Sequence, residues 1–294
     1  MVIPIFAVAI SAFVIQTVFI KIYNEKYMFN MACYSFFYLT SSVLTVALLL
    51  IFAGGMPVGV HPETIILGIS FGMLFVFTIM IYGKAMRTGP LSYTTLLFSA
   101  GLVIPVVSGL LFFKESMNIV QIIGFILILV TFYIVSAQKE NHENGKVNLK
   151  WLILAFLTFL CNGFLGLMSK TQQYLLPDQD KSAYLMIGFT TGAVMSLAIL
   201  LYQLIVKRER IEPIRKPGLY IVILGIGITN ALGNRLVMDL ISKIPAGMLF
   251  PILSGSVMLL VILVSGIIFA EKITFRKVTG IAIGLGAIIM LSLK

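Results

Sequence analysis

The chain has 294 residues, of which 60% are hydrophobic and only 11% are charged, with a mean hydropathy of +1.07 and a formal net charge of +10. Soluble domains are usually about 45–50% apolar and about 25% charged, so this composition excludes a water-soluble globular fold and predicts an integral membrane protein. The positive charge does not indicate nucleic acid binding. Its densest stretch, KRERIEPIRK (207–216), lies between two hydrophobic segments and is typical of a loop at the membrane surface.

Ten segments in chain order are long and apolar enough to cross a bilayer, which requires about 20 mainly apolar residues. They are predicted at 2–21, 30–53, 64–84, 91–113, 119–138, 151–169, 183–206, 218–238, 246–269 and 275–293. The first lacks the basic start of a signal peptide and is expected to be retained as a span. A polar linker (139–150) divides the chain into two predicted five-helix repeats, 1–138 and 151–294.

The two halves share a pattern that indicates an internal duplication. A shift of 156 residues aligns FFKESMNIVQIIGFILILVTFYIVS (112–136) with IFAEKITFRKVTGIAIGLGAIIMLS (268–292), so that Glu115 meets Glu271 and Gly124 meets Gly280. Five spans per half means that the second half enters the membrane from the opposite side. The predicted fold is therefore an all-α integral membrane protein with ten transmembrane helices as two inverted five-helix repeats, an arrangement typical of secondary transporters.

These features resemble the EamA-type members of the drug/metabolite transporter superfamily. The resemblance rests on the ten spans, on the two aligned segments at the ends of spans four and nine, and on Lys21 and Lys170 at the ends of spans one and six. It implies a transporter of small metabolites such as amino acids, nucleotide sugars or organic cations. Span one lacks the Trp-Gly pair common in the family, and the carboxylate that proton-coupled cation exchangers hold in mid-membrane is not visible in the spans.

Two arguments give opposite predictions for the orientation of the chain in the membrane. Lys and Arg number 15 on the face that carries the basic 207–216 loop and 5 on the face that carries both termini, with Arg235 left out as intramembrane. The positive-inside rule therefore places the termini outside the cell. The family resemblance implies cytoplasmic termini.

Candidate substrate-contacting residues are polar side chains within the apolar spans, since such groups usually face a cavity or a partner. In ITNALGNRLVMD (228–239), Asn230 and Asn234 share one helix face, and Arg235 and Asp239 are spaced to pair. The predicted substrate-binding set is Gln16, Tyr82, Tyr93, Ser99, Asn162, Asn230, Asn234, Ser254 and Ser256. Gating or orienting roles are predicted for Arg235, Asp239, Lys21 and Lys170. Helix-joining amides, packing serines, interfacial tyrosines and snorkelling lysines are the alternatives that the sequence leaves open.

The predicted function is secondary transport, ion-coupled or by exchange, of a small polar metabolite across the plasma membrane. An amino acid or similar zwitterion is favoured, moved by alternating access around a midplane cavity; a flippase for a lipid-linked head group and a multidrug or organic cation exporter are the alternatives. The expected partners are the substrate and the lipid bilayer, without nucleic acid, metal, cofactor or catalytic residues. Gly280 and Gly284 have GxxxG spacing, which predicts close helix packing within the monomer or across a possible homodimer.

Overall fold

The computed structural model describes residues 2–88, 91–136, 149–211, 216–268 and 274–293. The regular elements in these ranges are all α-helices, which confirms the predicted all-α class. They are α1 (Val2–Lys26), α2 (Met31–Ala53), α3 (Pro62–Thr88), α4 (Leu91–Ala100), α5 (Val103–Leu111), α6 (Ile119–Ser136), α7 (Leu149–Leu175), α8 (Lys181–Ile205), α9 (Pro217–Ile241), α10 (Ala246–Ile268) and α11 (Phe275–Ser292).

Eight of the described helices are long and apolar enough to cross a membrane. Two shorter apolar stretches, Leu96–Leu111 and Ile119–Val135, lie at the predicted fourth and fifth spans. The helix bounds lie within a few residues of most predicted spans. The largest extensions are at the ends of α1 and α7, which continue past Lys21 and Lys170 respectively.

The predicted fourth span (91–113) contains two helices, because α4 and α5 are separated at Gly101 and Leu102. Pro105 has no N–H, so the Gly101 carbonyl cannot accept the usual bond from four residues further on. It accepts instead from the Ile104 N–H at 3.0 Å. A Cβ on Gly163 of α7 would clash with Ile104 and with the Gly101 carbonyl, so this glycine lets α7 pack directly against the interruption.

The described chain forms two compact units, each of which combines helices from both halves of the sequence. Unit 1 comprises Met1–Val76 and Leu175–Ser242, and unit 2 comprises Phe77–Tyr174 and Lys243–Lys294. These units therefore do not coincide with the two halves of the predicted repeat, which stays a prediction.

Unit 1 is built from paired helices of distant sequence position. Helix α1 packs on α9, and α2 packs on both α8 and α9. Close approach of α3 and α8 depends on Gly72, whose missing Cβ leaves room for the Gly188 carbonyl. Tyr23 of α1 stacks on Phe37 of α2 with ring centroids 3.9 Å apart and donates a hydrogen bond to the Cys33 carbonyl, which fixes one end of this helix pair.

Unit 2 is centred on the contact between α6 and α11. Gly124 of α6 lies against the backbone of α11, and Gly280 of α11 lies against Val135 of α6. Gly284 lies against Leu259 of α10 and Thr131 of α6. The two glycines of the GxxxG pair thus serve close packing within this chain. The possible homodimer stays a prediction.

Candidate functional site

A polar cluster lies in the middle of three apolar helices of unit 1. Its members are Gln16 of α1, Thr45 of α2, and Asn230 and Asn234 of α9. Asn230 is 13 residues after Pro217 and 11 before Ile241, so at about 1.5 Å per residue it lies roughly 20 Å from one helix end and roughly 16 Å from the other. The hydrocarbon core of a bilayer is about 30 Å thick, which puts the cluster near its centre.

Asn230 is the hub of this cluster. Its Oδ1 accepts hydrogen bonds from Gln16 Nε2 at 3.1 Å and from Asn234 Nδ2 at 2.7 Å. Its Nδ2 donates to the Thr45 hydroxyl oxygen at 3.2 Å. Asn230 is only 8% exposed, and in an apolar surrounding a polar group left without partners would be costly. The cluster therefore stabilises Asn230, while Gln16 and Asn234 at its edge are half-buried.

One helical turn further along α9, Arg235 and Asp239 belong to a second network. Arg235 donates to the Ser182 hydroxyl at 3.0 Å, and its Nη2 lies 3.8 Å from Asp239 Oδ1. The same carboxylate oxygen is 2.9 Å from the ammonium of Lys181, whose side chain is 6% exposed. The predicted Arg235–Asp239 pairing is therefore present but long, and Lys181 is the closer partner of Asp239.

Lys181 also contacts Asp178 at 2.5 Å and lies 3.4 Å from the Ser242 hydroxyl. This network joins the start of α8 to the end of α9. Arg235 makes its shortest polar contact with an uncharged hydroxyl, which leaves most of its guanidinium donors for other partners.

Among the predicted residues of unit 2, Asn162 and Tyr82 meet at the interruption of the fourth span. Asn162 Nδ2 donates to the Phe98 carbonyl at 2.8 Å, and the Tyr82 ring lies 4.6 Å from the Phe98 ring. Ser99 is the next residue and is half-buried. In a continuous helix the Leu102 N–H would donate to the Phe98 carbonyl, but here it donates to the Ser99 carbonyl at 3.4 Å. The hydrogen bond from the Asn162 amide partly replaces the one that the Phe98 carbonyl has lost.

The remaining predicted substrate-binding residues are Ser254, Ser256 and Tyr93. Ser254 and Ser256 are half-buried on either side of Gly255, which packs against Ile128. Tyr93 lies within α4, but its side chain falls outside the described part of the structure.

The two lysines with predicted gating or orienting roles differ in their surroundings. Lys21 lies 4.0 Å from Glu25 with its side chain 28% exposed. The side chain of Lys170 is 9% exposed and pairs with Glu115 Oε1 at 2.5 Å. The other Glu115 oxygen accepts from the Ala246 N–H at 2.6 Å, at the N-terminus of α10, where a carboxylate is favoured by the helix dipole.

Sequence reasoning missed three residues of these networks: Thr45, Lys181 and the pairing role of Glu115. Thr45 gave no signal, because a single threonine in an apolar span usually bonds within its own helix. Glu115 was interpreted as the polar end of a span, and Lys181 as part of a connecting link. The described residues contain no group of three His, Cys, Asp or Glu side chains placed to hold a metal ion.

Comparison with protein families decides the kind of molecule that carries these polar groups. Residues 149–293 match the model of the EamA-like transporter family. The chain belongs to this family. Membership of the EamA family indicates a membrane transporter of small molecules. The eight long apolar helices agree with a multi-pass membrane protein.

The fold of this EamA-like protein recurs among solved structures. One of them, titled only "Crystal structure of protein", aligns with a TM-score of 0.74 at 12% sequence identity, over 98% of this chain and 95% of that chain. At this identity the likeness shows the fold alone. The search of curated proteins finds no match.

Proposed function

We propose that this EamA-like protein is a secondary transporter that carries a small polar metabolite, an amino acid or similar zwitterion, across the plasma membrane. The observation that supports this most directly is the hydrogen-bonded cluster of Gln16, Thr45, Asn230 and Asn234 in the middle of three apolar helices. Polar groups at this depth are costly unless they are paired or serve a polar cargo.

Alternating access provides the proposed mechanism. The substrate binds to Gln16 and Asn234 while Asn230 and Thr45 hold their amides in place, and the protein then exposes the bound substrate to the other side. The network of Arg235, Asp239 and Lys181 acts as the proposed gating or orienting element, because ion pairs that join two helices can exchange partners when the helices move.

The test is uptake into proteoliposomes that contain the purified full-length protein. The panel holds radiolabelled amino acids, sugars, polyamines and quaternary amines, each measured with and without a pH gradient and compared with protein-free liposomes. We expect saturable uptake of at least one amino acid. Dependence of that uptake on the pH gradient would indicate proton coupling, and uptake stimulated by internal unlabelled substrate would indicate exchange.

Two variants connect the transport to the cluster. Asn234→Ala and Gln16→Ala are expected to raise the KM at least several-fold, because each removes a polar side chain at the edge of the cluster. Thr229→Val is the matched control, since this residue lies on the same helix and, among the residues that the structure describes, its hydroxyl bonds only to the Gly225 and Ile226 carbonyls. If both alanine variants transport with unchanged kinetics, the substrate does not bind at this cluster. If no compound of the panel is transported, the proposed function is wrong.

A further inference from the structure

The orientation of the Asn230 amide is fixed by backbone carbonyls next to the polar cluster. The Thr45 hydroxyl has a single hydrogen, and the Ser41 carbonyl at 2.8 Å and the Gly227 carbonyl at 3.4 Å both accept only. Thr45 therefore donates to a carbonyl, and its oxygen accepts from Asn230 at 3.2 Å. The Asn230 nitrogen must lie on this side, because only the nitrogen of the amide can donate.

The orientation of the Asn234 amide is fixed in the same way. Its Nδ2 lies 2.9 Å from the backbone carbonyl oxygen of Asn230, which can only accept. The same nitrogen donates to Asn230 Oδ1 at 2.7 Å, so both of its hydrogens are used. Gln16 then has to present its own nitrogen to Asn230 Oδ1, at 3.1 Å.

This arrangement leaves acceptors at the edge of the cluster. Within the ranges that the structure describes, Oδ1 of Asn234 and Oε1 of Gln16 receive no hydrogen bond from the protein. Gln16 keeps one N–H, whereas Asn234 keeps no donor. Both side chains are half-buried, in contrast to the buried hub Asn230.

We infer that the carbonyl oxygens of Asn234 and Gln16 bind a hydrogen-bond-donating nitrogen of the substrate, an ammonium or amine group, and that Asn234 determines this specificity. A carboxylate or phosphate needs donors, and Asn234 has none to offer. This inference rests on the proposed function and names the substrate group that the cluster recognises.

The experiment uses the same proteoliposomes and the most strongly transported compound of a labelled panel of amino acids, primary amines, the matching 2-hydroxy acids and neutral sugars. Unlabelled mono-, di- and trimethylated forms of the transported amine then compete for uptake. All three forms stay positively charged at low pH, but the trimethylated form has no N–H. A hydrogen bond to a charged group contributes about 1.5–3 kcal/mol, so we expect its inhibition constant to rise at least about tenfold at the last methylation step.

Weaker competition by the trimethylated compound could result from the lost hydrogen bond or from its larger size, and substitutions in the protein distinguish the two causes. Asn234→Leu removes one of the two acceptors, so the discrimination between the dimethylated and trimethylated forms should fall several-fold, whereas Thr229→Val should keep the parent's discrimination. Gln16→Met is the second variant, for the case that Asn234→Leu does not purify as a monodisperse protein, and it should reduce the discrimination in the same direction.

The outcomes separate the inference from the function on which it rests. Transport of an amine whose trimethylated form competes equally well overturns the inference and leaves the transporter intact. Preferred transport of the 2-hydroxy acids or sugars does the same, as does unchanged discrimination in Asn234→Leu together with Gln16→Met. Absence of any transport in the panel overturns the proposed function, and the inference with it.

Discussion

Several polar side chains in this transporter are positioned by partners that are remote in the sequence. The Gln16–Asn230 bond joins residues 214 positions apart, and Glu115 joins Ala246 across 131 positions. At mid-membrane a single unpaired group costs more than a conformational adjustment, so such residues are placed by their partners rather than by local propensity. Asn230 is the clearest case, because its side-chain amide bonds to Gln16 and Thr45 on two other helices.

The buried ion pair of Lys170 and Glu115 leads to a prediction about stability. Lys170→Met leaves a carboxylate that is 13% exposed without its ammonium partner. Removing one member of a buried pair costs about 3–5 kcal/mol, whereas replacing both members can be nearly neutral. We therefore expect Lys170→Met to lower the melting temperature in detergent strongly, and Glu115→Gln combined with Lys170→Met to restore most of the loss. The Gln side chain still offers an oxygen to the Ala246 N–H.

The neighbouring Lys114 provides the control for this pair. It is an exposed lysine in the same link, so Lys114→Met removes an equal charge without opening a buried contact. A melting temperature that falls equally in Lys114→Met and Lys170→Met would mean that net charge, rather than the ion pair, stabilises the protein.

Part of the candidate site could be predicted from the sequence, and the rest could not. The Asn230–Asn234 spacing on one helix face is a local property, so their contact was predictable from the sequence alone. The partners Thr45 and Lys181 come from other helices, and a local pattern contains no information on which helix will lie beside which. The spacing predicted the Arg235–Asp239 pair, but not that Lys181 of α8 would be the closer partner of the same carboxylate.

At the level of the helices, hydropathy predicted bounds well because each span is a long apolar run with polar ends. The interruption between α4 and α5 was missed, although Pro105 and Gly101 stand four residues apart, the spacing at which a proline removes a helical hydrogen bond. The sequence did not allow us to predict which helices pack against each other. Helix pairing depends on where glycines permit close approach, as at the contact between α3 and α8.

That contact supports a prediction with a control in the same helix. A Cβ on Gly72 of α3 would overlap the Gly188 carbonyl of α8 and the Thr191 side chain, so Gly72→Ala forces the helices apart. Overpacking of this kind costs about 1–3 kcal/mol. Gly83 lies in the same helix, and within the described structure a Cβ there would meet nothing within 4 Å. Gly83→Ala should therefore leave thermal unfolding in detergent unchanged or slightly raise the melting temperature, and an equal loss in both variants would contradict the packing argument.

The start of α8 supports a prediction about pH. Burial alone would raise the pKa of Asp180, but hydrogen bonds from the His61 N–H, the His61 ring and the Thr64 hydroxyl outweigh burial and hold that pKa below its usual range. A lowered pKa in the folded state means that the carboxylate stabilises the fold above its unfolded pKa of about 3.9. This stabilisation is lost as the pH falls through the lower folded pKa.

Asp180→Asn should therefore reduce the melting temperature at pH 7, and its difference from the parent should narrow below about pH 4. Glu63→Gln is the control, because Glu63 is an exposed carboxylate in the first turn of the neighbouring α3. A difference between Asp180→Asn and the parent that stays constant from pH 7 to pH 3 would show that the charge of Asp180 contributes nothing.

For the whole molecule, the contacts within unit 1 indicate which connecting links share a membrane face. Asn30 Nδ2 donates to the Arg210 carbonyl, which joins the link between α1 and α2 to the basic link between α8 and α9. His61 and Asp180 likewise join the link before α3 to the link before α8. These pairings are those expected when the second half of the chain crosses the membrane in the opposite sense to the first.

The charge count predicts a cytoplasmic basic link and external termini, against the implication of the family resemblance. Lys207→Cys and Val58→Cys probe the two faces, because Lys207 is exposed in the basic link and Val58 is 95% exposed in the link before α3. The native Cys33 and Cys161 are buried, so they contribute little background. In intact cells a membrane-impermeant maleimide should label Val58→Cys and should label Lys207→Cys only after permeabilisation. The reverse pattern would place the termini in the cytoplasm, and the lysines and arginines of the 207–216 loop would then face the outside against the positive-inside rule.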